Sequence, residues 1–210
     1  MKATGAAIVI VALKAEARTL RRRRDLHILV SGPGPDAAQR TVTTALRASP
    51  SAIISWGVAG ALHPDLRPGT VLWPQRVVTE DGRTFLAAAQ RGSATCLVSV
   101  SAPVCTPEER QALAERFDAS SVDMESATIA AACHAAGVPF LCVRAIADAS
   151  DLRLPVWIAA AMGADGRAAL TPVLRNLLRR PQDLPALLRA GLGFRRALAG
   201  LERSATELRV

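Results

Sequence analysis

Val122-Asp123-Met124-Glu125-Ser126-Ala127, and after it Phe140-Leu141-Cys142-Val143-Arg144-Ala145-Ile146-Ala147-Asp148-Ala149-Ser150-Asp151, carry the pattern that decides the fold. Ser120 to Asp123 reads as a short strand. A helix from about Met124 to Ala136 follows, and Gly137-Val138-Pro139 ends it, as a glycine past the last turn and a proline beyond it commonly do. Phe140 to Ala147 is an apolar run of strand length, as expected for a strand covered on both faces. Both strands hand over to carboxylates: Asp123 and Glu125 after the first, Asp148 after the second.

The same grammar runs upstream. Ala6 to Ala12 is a continuous apolar run, and Glu16 to about Arg23 reads as a short helix. His27 to Val30 is a second strand that runs into Ser31-Gly32-Pro33-Gly34-Pro35-Asp36, where Asp36 is placed to cap a helix through about Ala48. Ser51 to Trp56 is a third strand, ending in Gly57-Val58-Ala59-Gly60. Thr70 to Val78 holds one or two strands, Thr84 to Leu86 a short extended piece, and Cys96 to Val100 another strand. Thr106-Pro107-Glu108-Glu109 opens a helix with a threonine cap, proline at the first position and acids in the first turn. From Val156 the chain reads as helices. Strands alternating with helices predict an α/β domain: three αβα layers around a mixed, mostly parallel sheet, with a helical C-terminal tail. Ligands of such sheets collect at the carboxyl ends of strands. Glu16, the Ser31–Asp36 loop, Gly57–Gly60, Glu125 and Asp148 all fall there.

Composition removes other classes. At 210 residues and 50% hydrophobic, the chain can bury a full core, and disorder is not expected. No run of 18 apolar residues exists, and the apolar start runs into Lys14-Ala15-Glu16-Ala17-Arg18 without a signal-peptide cleavage pattern. Cys96, Cys105, Cys133 and Cys142 lack metal-ligand spacing, so they read as reduced thiols of a cytoplasmic protein, with no metal. His27, His63 and His134 read as surface or structural residues. The net charge of +8 is arginine, since only Lys2 and Lys14 are lysine, and aromatic residues are 3% of the chain. That scarcity of stacking side chains argues against nucleic acid as a partner.

The quoted stretches resemble the purine nucleoside phosphorylase and methylthioadenosine/S-adenosylhomocysteine nucleosidase superfamily. Ser31-Gly32-Pro33-Gly34 is similar to its SGxG loop, and Gly57-Val58-Ala59-Gly60-Ala61-Leu62 with Asp65-Leu66-Arg67-Pro68-Gly69-Thr70-Val71 to another of its signatures. The resemblance covers about residues 5–151. Within it, the hopanoid-associated branch, whose members release adenine from adenosylhopane, is the most similar; Ser55-Trp56-Gly57, Pro68-Gly69 and the Leu177–Leu187 segment carry that.

The resemblance implies cleavage of the N-glycosidic bond of a 5′-substituted adenosine, with Asp148 as the acid that protonates the purine, Glu125 as the ribose-binding carboxylate and Glu16 as the base that activates water. Met124 and Val104 would pack against sugar or base, and backbone at Gly32, Gly34, Val58, Ala59 and Gly60 would line the substrate site. A leaving purine needs a proton and the ribosyl centre becomes cation-like, so a protonated acid and a nearby carboxylate suit the reaction. No cofactor is called for, though phosphate would be a co-substrate of a phosphorylase. Trp56-Gly57-Val58-Ala59-Gly60 holds neither arginine nor serine for a phosphate, and Glu16 suits water, so hydrolysis is favoured. Phosphorolysis, or a non-catalytic nucleoside-binding protein, is the alternative.

Two departures stand out. Only Arg21 to Leu26 lies where the nucleosidases carry a hairpin, and Pro103-Val104-Cys105 stands where they carry a purine-stacking phenylalanine. Both imply a more open, apolar mouth fit for a lipid-linked nucleoside. Residues 1–170 are expected to form the catalytic domain, with 171–210 a basic amphipathic extension packed on it. That extension holds eight arginines against Asp183, Glu202 and Glu207, so peripheral contact with the inner membrane is an expectation. A homodimer is expected by resemblance alone.

Overall fold

A computed structural model describes residues 5–88, 95–155, 157 and 170–209. Its strands are β1 (Ile8–Val11), β2 (His27–Val30), β3 (Ile53–Ala61), β4 (Val71–Leu72), β5 (Arg76–Thr79), β6 (Thr84–Leu86), β7 (Cys96–Ser99), β8 (Ser121–Asp123) and β9 (Phe140–Asp148). Its helices are α1 (Lys14–Thr19), α2 (Pro35–Leu46), α3 (Pro107–Phe117), α4 (Ser126–Ala136), α5 (Leu170–Arg179) and α6 (Leu184–Ser204), with a 3-10 turn at Pro181–Asp183.

The strands form one mixed sheet in the order β2-β1-β3-β8-β7-β5-β6, while β9 pairs with β3 and β4. Pairing is parallel for β1 with β2 and β3, for β3 with β9, and for β7 with β5 and β8. It is antiparallel for β3 with β8, β4 with β9 and β5 with β6. The predicted three-layer architecture is therefore present. Alternation along β1 sends Val9 and Val11 to the face under α1 and α6, with Trp56, Val143, Ala197 and Leu201. Ile8 and Ile10 go to the opposite face with Val42 of α2 and Ile129 and Cys133 of α4.

Several boundaries move. The first helix stops at Thr19, and α4 starts at Ser126, leaving Glu125 at its N-cap position. Helix α2 is capped by Gly34 rather than Asp36, because Pro35 already holds its first position. Thr106 caps α3 as expected, accepting a hydrogen bond from Glu109 N–H while the Glu109 carboxylate accepts from Thr106 N–H. Residues 21–26 are tied to the C-terminal segment, since Arg23 donates to the carbonyls of Ala205 and Leu208 and Arg21 pairs with Glu202, while Arg21, Arg22, Arg24 and Asp25 stay exposed.

The tail is partly core. Ala197, Leu201, Ala205 and Leu208 are buried against the sheet. Gly193 and Gly200 set the approach, since a Cβ on Gly193 would collide with the Ala147 carbonyl and one on Gly200 would stand 2.6 Å from the Gly69 carbonyl oxygen. Helix α6 thus lies against the end of β9 that carries Asp148. Leu184, Leu188 and Leu192 remain exposed on α6. No helix among the described residues is long and apolar enough to cross a membrane.

Candidate active site

A cavity of about 230 Å³ opens at the carboxyl ends of β1, β3, β8 and β9. Glu16, Val58, Ala59, Gly60, Val104, Met124, Glu125 and Asp148 all line it, together with Arg110 and the aliphatic groups of Val100, Pro103 and Leu154. Gly32 and Gly34 do not.

Glu16 sits in the first turn of α1 and is only 2% exposed. One carboxylate oxygen accepts from Leu13 N–H at 2.8 Å and the other from Val58 N–H at 2.9 Å. The Val58 amide is therefore spent on Glu16, although Val58 itself lines the cavity as expected. Burial pushes the Glu16 carboxyl above its ordinary range, and the two amides and Arg144 oppose that only in part. A base of raised pKa is a better proton acceptor near neutral pH. Gly57 makes the arrangement possible: a Cβ there would stand 2.7 Å from a Glu16 carboxylate oxygen.

Glu125 accepts from Gly34 N–H at 2.7 Å. Gly32 and Gly34 have φ of 90° and 92°, in the left-handed region that favours glycine, and the turn they make aims that amide at the carboxylate. The SGxG loop thus positions Glu125 through Gly34 N–H, and it reaches the cavity wall through Pro33 rather than through its glycines. Burial, with the Asp123 charge second, pushes the Glu125 carboxyl up to about 7.

Asp148 ends β9 directly beside Gly60, where β3 shifts register between Ala59 and Gly60. Burial raises its pKa, while a hydrogen-bonded ion pair with Arg110 opposes the rise. A Cβ on Gly60 would lie 2.6 Å from Arg110 Nη1 and 2.9 Å from Asp148 Oδ2. Each outer glycine of Gly57-Val58-Ala59-Gly60 therefore leaves room for a carboxylate.

Under the cavity lies a buried network that sequence reasoning left without a role. Arg144 donates to Asp123 Oδ2 at 2.7 and 2.9 Å, to Ser55 Oγ at 2.7 Å and to Ser126 Oγ at 2.8 Å. Ser99 donates to the other Asp123 oxygen. A lone arginine inside the apolar run of β9 was the available signal, because a buried charge demands a partner. Arg110 gave a fainter one: a cation in the first turns of a helix opposes the helix dipole. A pocket of about 10 Å³ next to this network, lined by Glu16, Ser55, Val58, Glu125 and Arg144, matches one water molecule in size.

A sequence profile of the phosphorylase superfamily matches residues 18–95 and 87–179. The chain belongs to this superfamily. Over 162 residues it is 26% identical to the 5′-methylthioadenosine/S-adenosylhomocysteine nucleosidase of Buchnera aphidicola, a match covering 61% of this chain and 64% of that protein. The Actinobacillus succinogenes protein of the same name is 28% identical over 163 residues, covering 61% and 70%. The futalosine hydrolase of Helicobacter pylori superposes with a TM-score of 0.72 at 15% identity, covering 97% of this chain and 96% of the other. The nucleosidase of Neisseria meningitidis in complex with methylthio-immucillin-A gives 0.71 at 18%, covering 96% of both. At these identities the solved structures bear on the superfamily fold alone.

Proposed function

We propose that the protein is a nucleosidase that hydrolyses the N-glycosidic bond of a 5′-substituted adenosine and releases adenine. One observation carries this reading: Glu16, Glu125 and Asp148, which follow β1, follow β8 and end β9, line one cavity, and burial raises the pKa of all three. Asp148 is suited to protonate the purine, Glu125 to hold the ribose hydroxyls and Glu16 to take a proton from water. Hydrolysis is favoured over phosphorolysis for two reasons. The recess beside Glu16 fits one water. Among the described residues, the arginines lining these pockets, Arg110 and Arg144, are both paired with aspartates and not free for a phosphate dianion.

The finer reading is a 5′ substituent that is a hopane triterpene, which places the enzyme in hopanoid biosynthesis. Sequence resemblance supports it, as does the aliphatic mouth formed by Val100, Pro103, Val104 and Leu154. The cavity is smaller than the roughly 300–1,000 Å³ of sites that enclose a whole drug-sized ligand, so a long substituent would run outside it. Exposed Leu178, Leu184, Leu188 and Leu192 beside Arg179, Arg180 and Arg189 suit peripheral contact with an anionic membrane. A cytoplasmic homodimer belongs to the same reading.

The deciding experiment is mass spectrometry of products from adenosylhopane and from methylthioadenosine, with and without phosphate. Free adenine and free sugar in phosphate-free buffer are expected, with adenosylhopane turned over faster. An absolute phosphate requirement sinks the hydrolase reading, and faster methylthioadenosine turnover sinks the lipid reading. Because α6 is partly core, membrane contact is tested by Leu184→Gln/Leu188→Gln/Leu192→Gln rather than by truncation. Unchanged flotation with anionic liposomes would remove it.

A further inference from the structure

Arg110 is 1% exposed, sits near the start of α3, and leaves its Nε without a hydrogen-bond partner. Each of these is unfavourable for a guanidinium, and a buried ion pair does little for net stability. The side chain is nonetheless fastened in place. Nη1 donates to the Ala61 carbonyl and Nη2 to the Val104 carbonyl, both at 3.2 Å, and Nη2 also donates to Asp148 Oδ2. Gly60 keeps the crossing clear, since any Cβ there would push the two partners apart.

We propose that Arg110 is a positioning residue for the glycosidic cleavage, one that holds Asp148 by a single oxygen and neutralises the carboxylate left when Asp148 gives up its proton. The inference rests on the nucleosidase reading above. In the step, the C1′–N9 bond breaks and its electron pair goes to the purine, while the Asp148 carboxylic acid gives its proton to N7. Water adds to C1′ and gives a proton to Glu16, which returns it through solvent to Asp148. A nucleoside and water thus become ribose and purine. The bare Asp148 carboxylate would be formed in a buried place, where an unpaired charge is costly. The guanidinium is already there, so nothing must reorganise as the charge appears.

The other charged or titratable groups around Asp148 do not supply this. Glu109 of α3 caps its own helix, and Cys105 before it is a thiol kept protonated by burial. Asp151 is paired with Arg189 of α6 at the exposed rim, and Arg67 and Arg196 line the groove on that outer side. Charges there are screened by solvent.

The test compares wild type with Arg110→Met, Arg110→Lys and Gly60→Ala, the last keeping both charges but separating them. With methylthioadenosine as probe, Arg110→Met should lower kcat about 100-fold with KM within about threefold. Its alkaline limb should move up by at least about one pH unit. Arg110→Lys should recover part of both effects, and Gly60→Ala should move the limb the same way. Infrared difference spectra against Asp148→Asn, without substrate, should show the protonated Asp148 band surviving to higher pH in Arg110→Met. An unmoved band, or a moved band with unchanged kcat, overturns the proposal. Absence of adenine release by wild type overturns the nucleosidase reading instead, and with it the catalytic part of this one. The infrared titration then still decides whether Arg110 sets the Asp148 proton.

Discussion

Replacing Gly57 by alanine tests the packing logic of the site at one atom. The added Cβ would stand 2.7 Å from a Glu16 carboxylate oxygen, whereas ordinary contact begins at 3.4 Å. The carboxylate must retreat by about 0.7 Å, and that stretches its 2.9 Å bond from Val58 N–H beyond hydrogen-bond range unless α1 moves with it. Overpacking of a well-filled site costs about 1–3 kcal/mol. Taking about 2 kcal/mol, the fall in Tm is roughly 4–8 °C for a domain of this size. A base displaced by that distance should lose about 100-fold in rate. Calorimetry and an adenine-release assay read the two effects. The decisive control is the same substitution in a Glu16→Ala background, where the obstructing carboxylate is gone and the penalty should shrink below about 0.5 kcal/mol. An equal penalty in both backgrounds, or a Gly57→Ala protein with unchanged Tm and rate, would show that the glycine is not there for Glu16.

Other outcomes follow from the buried charges and the helix contact. Arg144→Met leaves Asp123 buried and unpaired, so urea unfolding should show a loss of about 3–5 kcal/mol, most of it recovered in Asp123→Leu/Arg144→Met. Glu125, raised to about 7, contributes stability that is fully present below its unfolded value near 4.3 and is lost as pH rises through about 7. Glu125→Gln should therefore flatten the decline of Tm between pH 5 and 8, and an unchanged slope would refute the shift. Gly193→Ala should push α6 off β9 and lower Tm and adenine release together; a tolerated alanine would mean the helix does not seat the Asp148 strand.

Much of this was readable before any coordinates. The apolar run of Phe140 to Ala147 and the glycine and proline before it mark a buried strand by rules that act over a few residues, and β9 is there. Thr106 and Glu109 announce the start of α3 for the same reason. The three cavity carboxylates were singled out by the family resemblance, and their placement agrees with it, since each follows or ends a strand at its carboxyl end and a parallel sheet gathers those ends together. Asp36 was misread as a cap because a proline one residue earlier fixed where the helix begins.

What sequence determined by itself is thus the layered α/β fold and, through its resemblance to a family, the choice of Glu16, Glu125 and Asp148 as candidates. Only the tertiary structure decided how they are held. Gly34 N–H reaches Glu125 across 91 positions, Val58 N–H reaches Glu16 across 42, and Arg110 reaches Asp148 across 38. It also decided how the basic tail, read as an amphipathic extension packed on the domain, is seated, with Ala197 and Leu201 of α6 completing the core. Periodicity and capping are local, so they are written along the chain. Desolvation and charge pairing depend on which distant groups share a buried space, and that is settled only when the sheet closes around them.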